Sequence, residues 1–383
     1  MRVLFVAGPT ADSWYSMVPL AQAVRLAGHE VFVAGHADVL PAIVGAGLAG
    51  VAVSTATLRD CLVDRRGEDA TPPADGLDRD VAVGRVYGRH AAAGLDELTK
   101  FVGDWRPDRV VGDALALAAP LAAARHEIAF TRFGTDVADP VAYTLAAITE
   151  LGPELERLGR YEMPPLRSSV TVAPPGLRPA DAPPSMPLRY IPYEGPVRAE
   201  AWMYERGDRP RIVVGVHAES LPWALSGPSR LLELTAGLDE LDAEIVVAVP
   251  PGVTAENLEP LPAGARAARA PLAVLAGGAD LVIHHGYADN VLTCFDGGVP
   301  QLVLPAHPGF AGHAERVAEL GAGRVLRAAD GTAEQVTELA REVLGDPGLR
   351  EAARRIATEM HDMPEPDRIA VDLAVPVRDE VTA

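Results

Sequence analysis

The chain has 383 residues, 48% of them hydrophobic and 23% charged, a globular composition long enough for two domains. Its formal net charge of −19 opposes phosphate-rich surfaces, which excludes nucleic acid and anionic membranes as partners and leaves a small molecule. The longest apolar runs, such as Ala114 to Ala124, fall short of the roughly 20 residues that cross a bilayer.

Arg2 to Ala7 (RVLFVA) is a short apolar run ended by Gly8-Pro9 and reads as a buried parallel strand. Met17 to Ala27 has helical spacing, and Glu30 to Ala34 (EVFVA) is the next strand. Strand, helix, strand opens a doubly wound sheet, whose ligands bind beyond the carboxyl ends of the strands. The loop Gly8 to Tyr15 is therefore a functional candidate. Val63 to Asp80, polar and broken by two prolines, reads as a loop, an acceptor lid by position. Val81 to Trp105 reads as mainly helical, then come strands at Arg109 to Val111 and around Phe130 to Phe133.

Ala173 to Pro196 is a linker, since its many prolines suit neither a helix nor a central strand. A second set follows: strands at Ile212 to Val216, Glu244 to Val249, Asp280 to Ile283 and Gln301 to Leu304, with a helix at Glu351 to Met360. Met1-Arg2 leads straight into a strand pattern, so a cytoplasmic protein is expected. Cys61 and Cys294 read as free thiols. His284-His285 are adjacent and no His-x3-His spacing occurs, so no metal is expected.

Three stretches carry a resemblance: Met1 to Ala34 with PLAQAVRLAGHEV, Trp105 to Asp136 with WRPD and GTD, and Val282 to Gly323 with HHG, GVPQLVLP and AERVAELGAG. They resemble bacterial glycosyltransferases that attach deoxysugars to polyketide and other antibiotic aglycones. The resemblance implies an α/β protein of GT-B fold: two facing Rossmann-like, doubly wound domains with an interdomain cleft. On that division residues 1–195 bind the acceptor, 197–365 form the ancestral donor domain, and the tail 366–383 returns to the first domain.

The family's base histidine falls at Ser13, and a serine hydroxyl is a poor base near neutral pH. Asp12 and Tyr15 are neighbours that could substitute. Asp136 matches an aspartate that orients the base, or serves as base, in the family; a helix N-cap is its structural alternative. The pyrophosphate motif, His-His-Gly-Gly-Ala-Gly-Thr in the family, reads here His284-His285-Gly286-Tyr287-Ala288-Asp289-Asn290. At an effective dielectric near ~20, Asp289 about 4 Å from phosphate would repel it by about 4 kcal/mol. The sugar-gripping aspartate-glutamine pair is replaced by Gly309-Phe310, and His217-Ala218-Glu219 stands where glycine and serine or threonine are usual. His217, Glu219, His307, His313, Asp136 and Asp289 then supply paired acids and bases. Trp14, Tyr15, Tyr87 and Phe133 are candidate walls of an acceptor pocket, and His285, Gly286, Tyr287, Asp289, Asn290, His307 and Phe310 are candidate binding residues.

These substitutions suggest an enzyme repurposed for nucleotide-sugar-independent cyclisation, dehydration or isomerisation of a polyketide-type small molecule, with no cofactor. The alternative is an inverting glycosyltransferase using a nucleotide-diphosphate sugar; a second alternative is a non-catalytic auxiliary protein. The oligomeric state stays open, with a homodimer among the options.

Overall fold

The computed structural model describes residues 1–68, 76–137, 141–179, 182–216, 228–250, 253, 258, 261–305, 308–329 and 331–373. The first seven strands are β1 (Arg2–Val6), β2 (Glu30–His36), β3 (Ala49–Ser54), β4 (Arg109–Asp113), β5 (Ala129–Gly134), β6 (Ser169–Thr171) and β7 (Met186–Pro187). They form one parallel sheet in the order β3-β2-β1-β4-β5-β6-β7. The second sheet takes β8 (Arg211–Gly215), β9 (Glu244–Ala248), β10 (Arg266–Ala268), β11 (Leu281–His284), β12 (Gln301–Val303) and β13 (Gly323–Val325). Its order is β10-β9-β8-β11-β12-β13, again all parallel. Helices cover both faces, which is why the central strands read as unbroken apolar runs rather than as alternating ones.

In each sheet the chain reverses its direction of travel between two neighbouring strands, β1 and β4 in the first, β8 and β11 in the second. Such a switch point leaves a crevice beyond the strand ends. Gly8 and Asp113 flank the first crevice; Val216 and His284 to Gly286 flank the second.

One apolar cluster takes in Phe5 and Leu20 from the first half, Val291 and Phe295 from the second, and Ile369 and Leu373 from the final described helix, Pro366–Leu373. That helix packs on Val18–Leu26, and Arg189 pairs with Glu365 just before it. The seam between the halves is therefore itself core. Among the described residues, no helix is long and apolar enough to cross a membrane.

Two expectations change. The polar stretch Val63 to Asp80 is not loop throughout, because a 30-residue helix already begins at Gly76 and buries Arg79 and Asp80 in its first turns. The linker Ala173 to Pro196 includes β7, an edge strand, where a proline forfeits no ladder bond.

Helix Gly76–Trp105 lies so close to helix Val141–Glu150 that a Cβ at Gly88 would stand 2.6 Å from the Ala147 carbonyl oxygen. Alanine ordinarily gains about 1 kcal/mol over glycine inside a helix. Here Gly88→Ala is expected to destabilise instead, by roughly 1–3 kcal/mol of overpacking. Urea denaturation measures it, and a stabilised variant would show that the two helices separate freely.

Candidate active site

After β1 the chain turns at Gly8, and Thr10 caps the helix Ala11–Tyr15. Ser13 completes that cap: its amide donates to Thr10 Oγ1 at 3.3 Å and its hydroxyl donates to the Thr10 carbonyl at 2.7 Å. The hydroxyl is thus engaged in the cap, and an alcohol is a poor base near neutral pH. A Cβ on Gly8 would stand 2.4 Å from Asp113 Oδ1 and 2.6 Å from Ser13 Oγ, so only glycine lets the carboxylate and the hydroxyl lie this close against the backbone.

Asp113, at the end of β4, accepts from the Leu115 amide at 2.8 Å. Burial pushes its carboxyl up to about 6; backbone amides and Arg132 pull it partly back, and Asp136 adds to the rise. Arg132, on β5, bonds Asp136 Oδ1 at 2.8 Å. Asp136 holds a left-handed backbone (φ 46°), and its Oδ2 is buried with no hydrogen-bond partner among the described residues. Tyr87 faces the same group, its phenol pushed up to about 12 by burial and by Asp113. Asp113, Arg132 and Asp136 form one charged cluster beyond β4 and β5.

A cavity between the halves is lined by Asp12 and Tyr15 from the first, by Tyr190, Tyr193 and Glu194 from the linker, and by Val216, Leu272, Asp289 and Asn290 from the second. Glu194 caps the helix Leu272–Ala276, accepting from the amides of Leu272 and Ala273 at 2.9 and 3.1 Å. Tyr193 meets Tyr15 edge-on with ring centroids 5.7 Å apart. Tyr190 donates to the Asp289 carbonyl at 3.4 Å and lies 3.2 Å from Thr293 Oγ1.

Asp289 sits in the first turn of helix Ala288–Asp296, whose N-cap residue Tyr287 offers no side-chain cap bond. Its Oδ1 accepts from Ser16 Oγ at 2.9 Å, across the cleft. The expected clash with phosphate assumed a carboxylate aimed at the ligand. Here one carboxylate oxygen is engaged by a hydroxyl of the opposite domain while Asp289 still lines the cavity, and the helix start presents its positive dipole end there.

Gly286 precedes that turn at φ +89°, where a Cβ would approach Val303 Cγ1 to 3.0 Å. Its amide donates to His284 Nδ1 at 3.0 Å, which puts the ring proton on Nε2, facing Gln301 Oε1 at 2.9 Å. Its carbonyl accepts from His313 Nδ1 at 2.8 Å. Two neutral imidazoles so hold the two peptide groups that flank one glycine. Burial lowers His284 to about 4 and lowers His313 as well. His285 is also buried, with Nδ1 on the Leu304 carbonyl at 3.2 Å. Tyr287 packs on Phe310, ring centroids 4.4 Å apart.

Trp14 and Phe133 are 0% exposed and belong to the core, which corrects their assignment as pocket walls. Tyr15 does line the cleft, whereas His217, Glu219 and His307 lie outside the described residues. Asp113 went unnoticed in the sequence, although a carboxylate ending a strand at a switch point is a usable signal. Ser16, Tyr190, Tyr193 and Glu194 have no comparable local signature. Among the described residues, no group of three or more His, Cys, Asp or Glu side chains is arranged to hold a metal ion.

Two facing parallel sheets with a shared cleft at their switch points define the GT-B architecture of glycosyltransferases. The chain belongs to the erythromycin biosynthesis protein CIII-like family, whose N-terminal domain matches residues 22–216 and whose C-terminal domain matches 232–375. It is 31% identical over 386 residues to the L-demethylnoviosyl transferase of Streptomyces niveus, covering 99% of each chain. The glycosyltransferase SsfS6 of Streptomyces sp. SF2575, solved with thymidine diphosphate, shares 30% identity at a TM-score of 0.83, covering 98% of this chain and 99% of that one. The spinosyn rhamnosyltransferase SpnG, solved with spinosyn aglycone, shares 28% at 0.82, covering 98% and 100%. These likenesses support a glycosyltransferase. They lend nothing to the expected nucleotide-sugar-independent cyclisation, dehydration or isomerisation.

The buried imidazoles set an acid limit on stability. His284 is depressed to about 4 from 6.5 and His90, stacked on His36, to about 3 from 6.5, with His36 and His313 also lowered. As pH falls below 6.5 the unfolded chain takes up these protons first, so stability is full above that value and declines toward 4. Asp113, raised from 3.8 to about 6, and Asp80, also raised by burial, work in the opposite sense but are two groups against four. The melting temperature is expected to drop from pH 7.5 to pH 5, and His90→Phe, which keeps a stacked ring without its titration, is expected to narrow the drop. An equal drop in both proteins would count against this origin.

Proposed function

We propose that the chain is an inverting glycosyltransferase that moves a sugar from a nucleoside-diphosphate donor to a hydroxyl of a polyketide-type aglycone. The observation that carries this reading is the cleft between the two switch points, on whose wall helix Ala288–Asp296 begins and the Asp289 carboxylate is engaged by the Ser16 hydroxyl at 2.9 Å. In this reading residues 1–195 take the acceptor, 197–365 take the donor, and helix Pro366–Leu373 ties the second domain back to the first.

Asp113 is the base. Its carboxylate lies against Gly8 beyond the end of β1, and its elevated affinity for a proton suits general-base work near neutrality. The acceptor oxygen attacks the anomeric carbon, its proton passes to Asp113, the bond from that carbon to the diphosphate oxygen breaks, and the departing charge falls on the helix start. Arg132, paired with Asp136, keeps a positive charge near the carboxylate. Asp12, on the cleft wall in the helix before the Ser16 contact, is the neighbouring carboxylate.

Titration calorimetry with thymidine and uridine diphosphates tests the donor side: micromolar binding is expected, and no binding at millimolar ligand would end the transferase reading. On the acceptor side, kcat/KM is expected to rise with pH through about 6 as Asp113 ionises. Asp113→Asn is expected to lower it by about 10²–10⁴-fold with little change in diphosphate affinity. A fully active Asp113→Asn would return the role to Asp136.

A further inference from the structure

We propose that Gln301 is a positioning residue for donor binding: it fixes the proton of His284 on Nε2 and, through that ring, holds the turn at Gly286 from which the anion-binding helix starts. The inference rests on the transferase reading above.

Gln301 opens β12, a strand paired on both sides and continued by the apolar Leu302 and Val303. Its side chain is 0% exposed, and a buried amide is unfavourable unless both its ends are hydrogen-bonded. A leucine would pack there without that demand. Both ends are in fact used. Nε2 donates to the Val291 carbonyl in helix Ala288–Asp296 at 3.3 Å, which sets which end of the amide is which. Oε1 then faces His284 Nε2 at 2.9 Å, and since that oxygen can only accept, the ring proton sits on Nε2. The register explains the reach: Gln301 pairs with Val282 of β11, and His284, two residues further on, shares that face of the sheet.

With its proton on Nε2, the neutral ring presents a lone pair at Nδ1, and the Gly286 amide donates to it at 3.0 Å. The other tautomer, or the imidazolium, would set N–H against N–H at that contact and release the turn. Burial keeps the ring neutral by lowering it to about 4; Gln301 pulls it partly back, and the facing His285 and His313 lower it further. One buried amide thus ties the helix Ala288–Asp296 to the turn before it and selects the tautomer on which the bond of that turn depends. Asp289 and Asn290, which follow the turn, line the cavity, so the position of the turn sets the position of the cleft wall that meets the diphosphate.

The test joins nitrogen-15 NMR of the histidine rings to titration calorimetry of the full chain, with thymidine diphosphate as the probe. In the wild type the His284 ring, assigned by the signals that His284→Asn removes, is expected to be the Nε2–H tautomer at pH 7.5; an Nδ1–H ring overturns the proposal. Gln301→Leu removes the acceptor and is expected to shift the ring toward Nδ1–H and to weaken the diphosphate about tenfold, the factor that one lost buried hydrogen bond gives. Gln301→Glu keeps an acceptor at the same reach but favours the imidazolium, so its affinity is expected to approach that of the wild type at pH 8.5 and to fall behind it as the pH is lowered to 6. If Gln301→Leu does not fold, the wild-type tautomer and this pH profile decide. The proposal is overturned if Gln301→Leu weakens the diphosphate with the tautomer unchanged, if it leaves the affinity unchanged, or if Gln301→Glu keeps one ratio to the wild type at every pH. A wild type that binds no diphosphate overturns the transferase reading, whereas a wild type that binds it no better than Gln301→Leu overturns this proposal alone.

Discussion

Ser16 lies in the turn after the first strand and helix, Asp289 in a helix start of the second sheet, and a 2.9 Å hydrogen bond joins them across 273 residues of sequence. Much of the cleft follows from that bond. It engages one oxygen of a carboxylate that lines the cleft, and it ties the two domains to each other. The linker reinforces the tie from the same side: Tyr190 bonds the Asp289 carbonyl, Tyr193 meets Tyr15, and Glu194 caps the helix at Leu272.

A second constraint acts on the acceptor side. Asp113 and Ser13 lie against the Gly8 backbone, which they can do only because residue 8 has no side chain. Ser13 completes the cap of the helix Ala11–Tyr15. Asp113 ends β4 with Arg132 and Asp136 setting the field around it, and burial raises its affinity for a proton.

Both sheets were legible in the amino-acid sequence. Apolar runs of β-branched residues mark parallel strands buried on both faces, intervening stretches carry helical spacing, and glycine and proline punctuate them; each is a local property. The turn at Gly286 was legible too, since an L side chain is strained at φ +89°. The sequence was misleading where a residue type was taken for an environment. Trp14 and Phe133, aromatic and close to the loop after the first strand or at the end of a strand, read as pocket walls but fill the core. The polar residues before Val81 read as loop, while helix Gly76–Trp105 buries two of them.

The sequence by itself determined the succession of strands and helices that builds two doubly wound sheets, because strand periodicity and helix spacing act over a few neighbouring residues. Only the tertiary structure decided where each charge points: that Asp289 turns to Ser16, that Glu194 caps Leu272, and that Asp113 is buried beside Gly8. Those outcomes depend on the distance and burial of groups from separate elements, and the energy of a charge or a phenol is set by such neighbours rather than by its place in the chain.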